Sequence, residues 1–212
     1  MSSNNIIVDR GLNPNTNEME DFHYRKGRHL GKGGFGDVYE CTVLETNKVY
    51  AIKIIEKARL GEKGMAFASE EIKINRSILH NNICRHKHSF QDSSNIYMIL
   101  ELCEKQSLSE VVRRRTRLTE PEVMYYMKQL VEAIKYLHDN SILHLDLKLS
   151  NIFLDKDLNV KLGDFGLARH LKSSDELVTS FAGTLPYMAP EIVNRSGHSF
   201  KADIWAIGVI LY

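Results

Sequence analysis

Cysteine is scarce in this chain of 212 residues, and net charge is nearly absent. The cysteines, Cys41, Cys84 and Cys103, show neither a disulfide framework nor the close pairing of a metal site. They read as reduced thiols, which excludes a disulfide-stapled secreted scaffold and suits a cytosolic or nuclear protein. A formal net charge of +1 gives no global field toward nucleic acid or a membrane surface, so neither is an expected partner. No apolar run reaches the roughly 20 residues of a membrane span. The start, Ser2-Ser3-Asn4-Asn5, is polar and lacks a signal-peptide profile. Internal repeats and long low-complexity segments are missing too. What remains is globular in composition, 43% hydrophobic and 26% charged. A chain of this length buries a real core, in one large or two small domains.

One stretch organises the rest. His144-Leu145-Asp146-Leu147-Lys148-Leu149-Ser150-Asn151 is followed, after a hairpin pattern, by Asp164-Phe165-Gly166. Two carboxylates, an amide and a lysine thus stand at fixed spacing around one loop and the turn after the next hairpin. That set suits a metal–nucleotide and a hydroxyl substrate. Asp146 is the expected acceptor of the hydroxyl proton. Asn151 and Asp164 are expected to hold Mg²⁺ against phosphate oxygens, and Lys148 to offset charge on the transferring group.

Upstream, residues 1–20 are rich in Asn, Ser, Glu and Asp and read as a disordered lead, with Ile6-Ile7-Val8 its only apolar cluster. Tyr24 to Leu30 reads as a strand before Gly31-Lys32-Gly33-Gly34-Phe35-Gly36. Those glycines alone are weak evidence, because dinucleotide folds use the same letters. Val38 to Val43 has β-branched and aromatic residues and no helical period, so a second strand follows rather than a helix. Strand, glycine turn, strand is either a flap whose backbone N–H groups approach phosphate or a plain hairpin. Val49 to Ile55 is a third strand with Lys53 in an apolar run. A lysine there is costly unless it meets an anion or faces outward. From Glu62 to Leu79, Phe67, Glu71, Ile74 and Ile78 share a helical face. Glu71 then wants a cation, and Lys53 is the candidate; Glu70 is the fallback, about 100° round the helix.

Asn95 to Cys103 is a strand that breaks into a polar connector, a hinge whose backbone at Glu101 and Cys103 suits an adenine edge, with Leu100 behind it. Ser107 to Glu110 and Thr119 to Glu122 are capping boxes. The first opens a short helix ending in the basic run Arg113 to Arg117, read as a solvated end compatible with the helix dipole, or as a surface for acidic partners. The second opens the best helix in the chain: Val123, Tyr126, Met127, Leu130, Val131, Ile134 and Leu137 follow the 3.6 period. Ile152-Phe153-Leu154 and Val160-Lys161-Leu162 read as short strands, with Phe153 facing adenine. Leu167 to Met188 is a loop carrying the hydroxyls of Thr179, Ser180 and Thr184, and an apolar helix begins near Phe200.

Together these motifs resemble the eukaryotic protein Ser/Thr kinases over residues 22–212, and most of all the polo-like kinases. The polo-like likeness rests on Leu30 to Gly36, Leu100 to Leu108, Leu118 to Tyr126, Leu147 to Leu154, Lys161 to Ala168 and Gly197 to Phe200. The resemblance implies an α+β, bilobal protein-kinase fold. A lead at 1–20 would precede a small antiparallel β lobe with one helix at 21–102, then a larger, mainly α lobe at 103–212, incomplete at its C-terminus. It implies transfer of the γ-phosphoryl of ATP, with Mg²⁺, to Ser or Thr hydroxyls of protein substrates, in a cleft between lobes. The expected ATP-binding residues are Leu30, Gly31, Lys32, Gly33, Gly34, Phe35, Gly36, Val38, Ala51, Lys53, Leu100, Glu101, Cys103 and Phe153. Asp146, Lys148, Lys53, Glu71 and Thr184 are the expected catalytic set, Asn151 and Asp164 the metal ligands, and Thr179 and Ser180 part of the activation segment. A cytoplasmic or nuclear location is implied, with centrosome or spindle association if the polo-like likeness extends that far.

Three departures qualify the pattern. Leu145 stands where most relatives have an arginine that receives an activation-segment phosphate, and leucine offers no charge-assisted bond. Activity is therefore expected to depend less on phosphorylation at Thr179 or Ser180. Leu185-Pro186 inverts the usual Pro-first order after Thr184. Relatives also continue into further helices, one of whose arginines pairs with the Glu191 equivalent, and into polo-box modules. The alternative is a truncated kinase-fold scaffold that binds nucleotide with little turnover. A dinucleotide-dependent oxidoreductase rests on the glycines alone and lacks alternating βαβ units.

Overall fold

The computed structural model describes residues 5–12, 18–105, 107–173 and 176–212. The parts of the expected N-terminal lead at 1–4 and 13–17 lie outside the described residues. The chain divides into two compact units, Met1–Ala66 with His86–Leu102, and Phe67–Arg85 with Cys103–Tyr212.

The first unit is a sheet of β1 (Ile6–Leu12), β2 (Met19–Lys32), β3 (Asp37–Val43), β4 (Val49–Glu56), β5 (His86–Gln91) and β6 (Asn95–Leu100). Its order is β1-β2-β3-β4-β6-β5, and every neighbouring pair is antiparallel. Alternation along the strands sends Tyr24, Cys41, Val43, Ile52, Tyr97 and Ile99 into one core, where Ile7, Phe22 and Phe90 join them. Phe90 stacks between Tyr24 at 5.3 Å and Tyr97 at 4.8 Å. Asp92 closes the β5–β6 hairpin, accepting the Ser94 and Asn95 N–H groups at 2.7 Å each and the Tyr97 hydroxyl at 2.7 Å.

Strand β1 departs from the expectation of a disordered lead. Ile6–Leu12 pairs with β2 in unbroken register from Ile6↔Arg25 to Leu12↔Met19. Asp9 Oδ2 meets His88 Nε2 of β5 at 2.8 Å, so the first strand in the order touches the last. Ile7 supplies apolar burial, while Ile6 and Val8 stay about half exposed. A strand with one apolar contact face and polar neighbours carries little compositional signal; its order comes from pairing with β2, the next strand, and from the contact of Asp9 with His88, which is distant in sequence.

The second unit takes α1 (Glu62–Ser77) from Phe67 onward, then α2 (Leu108–Arg115), α3 (Glu120–Asp139), β7 (Ile142–Leu143), β8 (Ile152–Leu154), β9 (Val160–Leu162), β10 (Arg169–His170), α4 (Pro190–Val193) and α5 (Lys201–Leu211). Both capping boxes form: Glu110 accepts the Ser107 N–H at 3.1 Å and Glu122 the Thr119 N–H at 2.8 Å. Helix α3 buries Tyr126, Leu130, Ala133, Ile134 and Leu137. Val131, expected on that face, is 48% exposed, because it lies one residue and about 100° past Leu130. The α3 face packs with Ile74 of α1 and Ile78 just past its end, the β8–β9 hairpin residues Ile152, Leu154, Val160 and Leu162, and Phe165. That packing is why most of α1 groups with this unit rather than with the sheet. A second cluster joins Leu143, Leu145, Leu171, Met188, Ala189, Ile192 and Ala202. Among the described residues, no helix is long and apolar enough to cross a membrane.

The order of β1 gives a direct test. Removing residues 1–12 strips Ile7 and Asp9 from the sheet and is expected to lower stability by roughly 2–4 kcal/mol, from lost apolar burial and edge pairing. Denaturant midpoints of the full and shortened chains measure it. An unchanged midpoint would show that β1 adds nothing to the fold.

Candidate active site

The loop after β7 turns on Leu145, whose φ of 67° is left-handed and rare for a branched side chain. Asp203 of α5 holds it there. Its carboxylate accepts the His144 N–H and the Leu145 N–H, each at 3.0 Å, and meets His138 Nε2 of α3 at 2.9 Å. Asp203 is 1% exposed, so without these partners it would be an uncompensated buried charge.

His144 extends the scaffold forward. Its Nδ1 accepts the Asp146 N–H at 3.2 Å, which assigns the proton to Nε2, 3.3 Å from the Gly163 carbonyl. Its ring also lies against Phe165, 5.1 Å between centroids. One buried imidazole therefore sets both the loop at Asp146 and the backbone beside Asp164, itself left-handed at φ 59°.

Around Asp146 the side chains converge. Thr184 donates its hydroxyl to Asp146 Oδ1 at 2.6 Å, and Lys148 Nζ donates to Asp146 Oδ2 at 2.7 Å. Lys148 also donates to Thr184 Oγ1 at 2.9 Å, closing a three-membered ring of hydrogen bonds. Asn151 gives its Nδ2 to the Asp146 carbonyl at 2.8 Å and to Oδ2 at 3.2 Å, leaving Oδ1 as the amide's remaining ligand atom. Gly183 precedes Thr184 with φ 118°, and a Cβ there would stand 2.7 Å from the Leu145 carbonyl. Thr184 reaches Asp146 because its predecessor has no side chain.

Leu145 itself is 6% exposed and packs with Leu171, Met188 and Ile192. The following segment docks by further contacts within this unit. Val178 and His198 exchange backbone hydrogen bonds at 2.9 Å, and the Arg195 guanidinium lies 5.5 Å from the Phe181 ring centroid. His198 is buried, its Nε2 has no hydrogen-bond partner among the described residues, and burial lowers its pKa while Glu191 and Asp203 pull the other way. Of the two candidate hydroxyls, Thr179 is exposed, whereas Ser180 Oγ is buried with no hydrogen-bond partner among the described residues.

The expected nucleotide residues fall on both units. In the first, Gly33 N–H donates to the Gly36 carbonyl at 2.8 Å, tightening the turn between β2 and β3. Gly36 is sterically required, since a Cβ there would lie 2.1 Å from the Ile54 carbonyl oxygen. Gly31 and Gly34 meet nothing within 4 Å at that position, which leaves backbone open to approach. Lys53 is 3% exposed, pairs in register with Val38 and Met98, and has its Cε 3.4 Å from where a Gly33 Cβ would be. Ala51 pairs with Leu100, while Leu30 and Lys32 lie in β2, Phe35 in the turn after it and Glu101 just past β6. In the second unit, Cys103 is half-buried, Phe153 bridges to Ser107, and Glu71 is 3% exposed on α1. Asp203 and His138 escaped the sequence reading. Asp203 reaches the loop from 59 residues beyond His144, and His138 reaches Asp203 from 6 residues before His144, so neither forms a local motif with it.

The sequence profile of the protein kinase domain matches residues 24–212. The chain belongs to the protein kinase domain family. The serine/threonine-protein kinase polo of Drosophila melanogaster is 46% identical over 190 residues, 89% of this chain and 33% of that protein. The mouse (Mus musculus) serine/threonine-protein kinase PLK2 is 42% identical over 208 residues, 98% of this chain and 29% of that protein. A probable serine/threonine-protein kinase PLK of Dictyostelium discoideum is 44% identical over 191 residues, 89% of this chain and 19% of that protein. The chain thus spans a third or less of these relatives. Its α+β kinase fold and polo-type likeness agree with the motifs read from sequence.

Proposed function

We propose that this kinase domain transfers the γ-phosphoryl of ATP to Ser or Thr hydroxyls of protein substrates. The observation that carries the reading is the ring of Asp146, Lys148 and Thr184 with Asn151 beside it. Asp146 keeps its carboxylate oriented by a hydroxyl, an ammonium and an amide, so a substrate hydroxyl would meet a fixed acceptor. Lys148, already shared between Asp146 and Thr184, would also reach a transferring phosphoryl and balance its charge. Lys53 would steady the α- and β-phosphates, and the turn from Gly31 to Gly36 would offer backbone N–H groups.

The residues present fit Mg²⁺. An amide oxygen freed by the Nδ2 contacts of Asn151, with the Asp164 carboxylate, is the short oxygen set this ion takes alongside substrate phosphates. Bound there, Mg²⁺ would neutralise charge on the phosphates.

We further read Leu145 as removing the need for a phosphate on the activation segment. Its apolar contacts with Leu171, Met188 and Ile192 dock that segment where an arginine would have waited for phosphate.

Asp146→Asn is expected to lower phosphoryl transfer to a protein substrate by about 10²–10⁴-fold, the range for loss of a general base, while Mg–ATP still raises the melting temperature. Undiminished turnover in the variant would remove Asp146 from the mechanism. No turnover in wild type, with nucleotide still shifting the melt, would favour the scaffold reading. For the segment, Ser180→Ala and Thr179→Ala should each keep kcat within about threefold of wild type, since no charge-assisted phosphate contact at position 145 is lost. A large gain on phosphorylation, abolished by Ser180→Ala, would contradict the role given to Leu145.

A further inference from the structure

The two strands that carry the Gly31–Gly36 turn are poorly joined by their backbones. The β2–β3 ladder slips twice, between Lys26 and His29 and again between His29 and Gly31, before Gly31↔Val38 and Lys32↔Asp37 close it at the turn. Each slip puts an extra residue in β2. Gly27 lies within the first, where a Cβ would stand 3.3 Å from the Glu40 carbonyl oxygen. A turn on so interrupted a ladder has few backbone bonds to fix its height, and side chains must supply the rest.

One side chain spans the interruption. His29 Nε2 donates to Asp37 Oδ1 at 3.3 Å, and its ring stands edge-on to Tyr39, 5.1 Å between centroids. Asp37 and Tyr39 are two apart in β3 and share a face. Lys26 Nζ lies 4.7 Å from the centroid of the same Tyr39 ring, so Tyr39 is also held from before the first slip. Tyr39 packs against the core of Tyr24, Cys41 and Val43, whereas Val38 pairs with Lys53 on the other face. The His29–Asp37 contact therefore lies away from the face expected to meet nucleotide and acts on the turn itself. Both side chains are partly exposed, so the bond is a cross-strand pair of modest strength.

We propose that His29 is a positioning residue for the glycine turn: by binding Asp37 across the broken ladder it holds the turn where its N–H groups meet phosphate. Arg28 Nε and Glu40 Oε2 form a similar exposed pair at 3.1 Å, but Asp37 adjoins Gly36 while Glu40 lies further along β3, so that pair does not reach the turn. The effect on nucleotide rests on the kinase reading above; the effect on the turn does not.

The test uses the whole chain: wild type, His29→Ala, Asp37→Ala, the His29→Ala/Asp37→Ala double variant and Arg28→Ala. The readouts are KM for ATP, kcat with KM for a protein substrate, and hydrogen exchange at the Gly33 amide, which donates to the Gly36 carbonyl within the turn. His29→Ala should raise KM for ATP about two- to fivefold, the scale of a cross-strand side-chain pair, and speed Gly33 exchange by a similar factor. Its kcat and protein-substrate KM should stay at the wild-type values. Added to Asp37→Ala, the same substitution should change neither quantity further, because the imidazole then has nothing to hold. Arg28→Ala should match wild type throughout. An unchanged KM for ATP in His29→Ala, an undiminished rise when Asp37 is already gone, or an equal rise in Arg28→Ala would overturn the proposal. So would a parallel rise in both KM values, the mark of a generally loosened fold. If wild type neither transfers a phosphoryl group nor shifts its melt with Mg–ATP, the kinase reading fails by itself, and Gly33 exchange across the same variants decides whether His29 holds the turn.

Discussion

The buried carboxylate of Asp203 is the constraint on which the loop from His144 to Asn151 depends. Leu145 is left-handed, a conformation that costs a non-glycine residue about 1–2 kcal/mol, and nothing local favours it. Two consecutive N–H groups aimed at one carboxylate offset that strain, and His138 occupies the carboxylate further. Neither partner is tolerable alone: the loop would carry orphaned buried donors, and α5 an unpaired buried charge.

From that anchor the candidate site is assembled by hydrogen bonds that each serve two parts of the chain. His144 ties Asp146 to Gly163; Thr184 ties the activation segment to Asp146; Asn151 ties the turn at Leu149–Asn151 back to the loop. Satisfied networks of this kind are rigid, because shifting one member leaves several polar groups unpaired. The apolar side chain at 145 is consistent with such a loop. Pointing into Leu171, Met188 and Ile192, it secures the neighbouring segment by burial, which salt does not screen.

Much of this was legible in the sequence, for reasons that differ by residue. The α3 face followed from the 3.6 period, and both capping boxes from residue type at fixed offset. Asp146, Lys148 and Asn151 lie within one loop, so their spacing survives folding and could be read directly. Thr184 was reached through the motif around it. Val131 was misplaced because it lies about 100° past Leu130, beyond the edge of the face that α3 buries. Strand β1 was missed because its polar residues hide the alternation that pairs it with β2, and because its contact with His88 comes from far along the chain. The hub at Asp203 was hidden for the same reason: a lone aspartate in an apolar helix does not reveal that two amides 58 and 59 residues earlier point at it.

The most direct measurement of this account is hydrogen exchange at the His144 and Leu145 amides, in wild type and in Asp203→Ala. If Asp203 holds the loop, both amides exchange in wild type as slowly as the α3 core around Leu130. In the variant they should exchange at least about a hundredfold faster than Leu130, the scale of losing hydrogen bonds to a charged acceptor. Fast exchange at both positions in wild type, or equal protection in the variant, would show that the loop is held by something else.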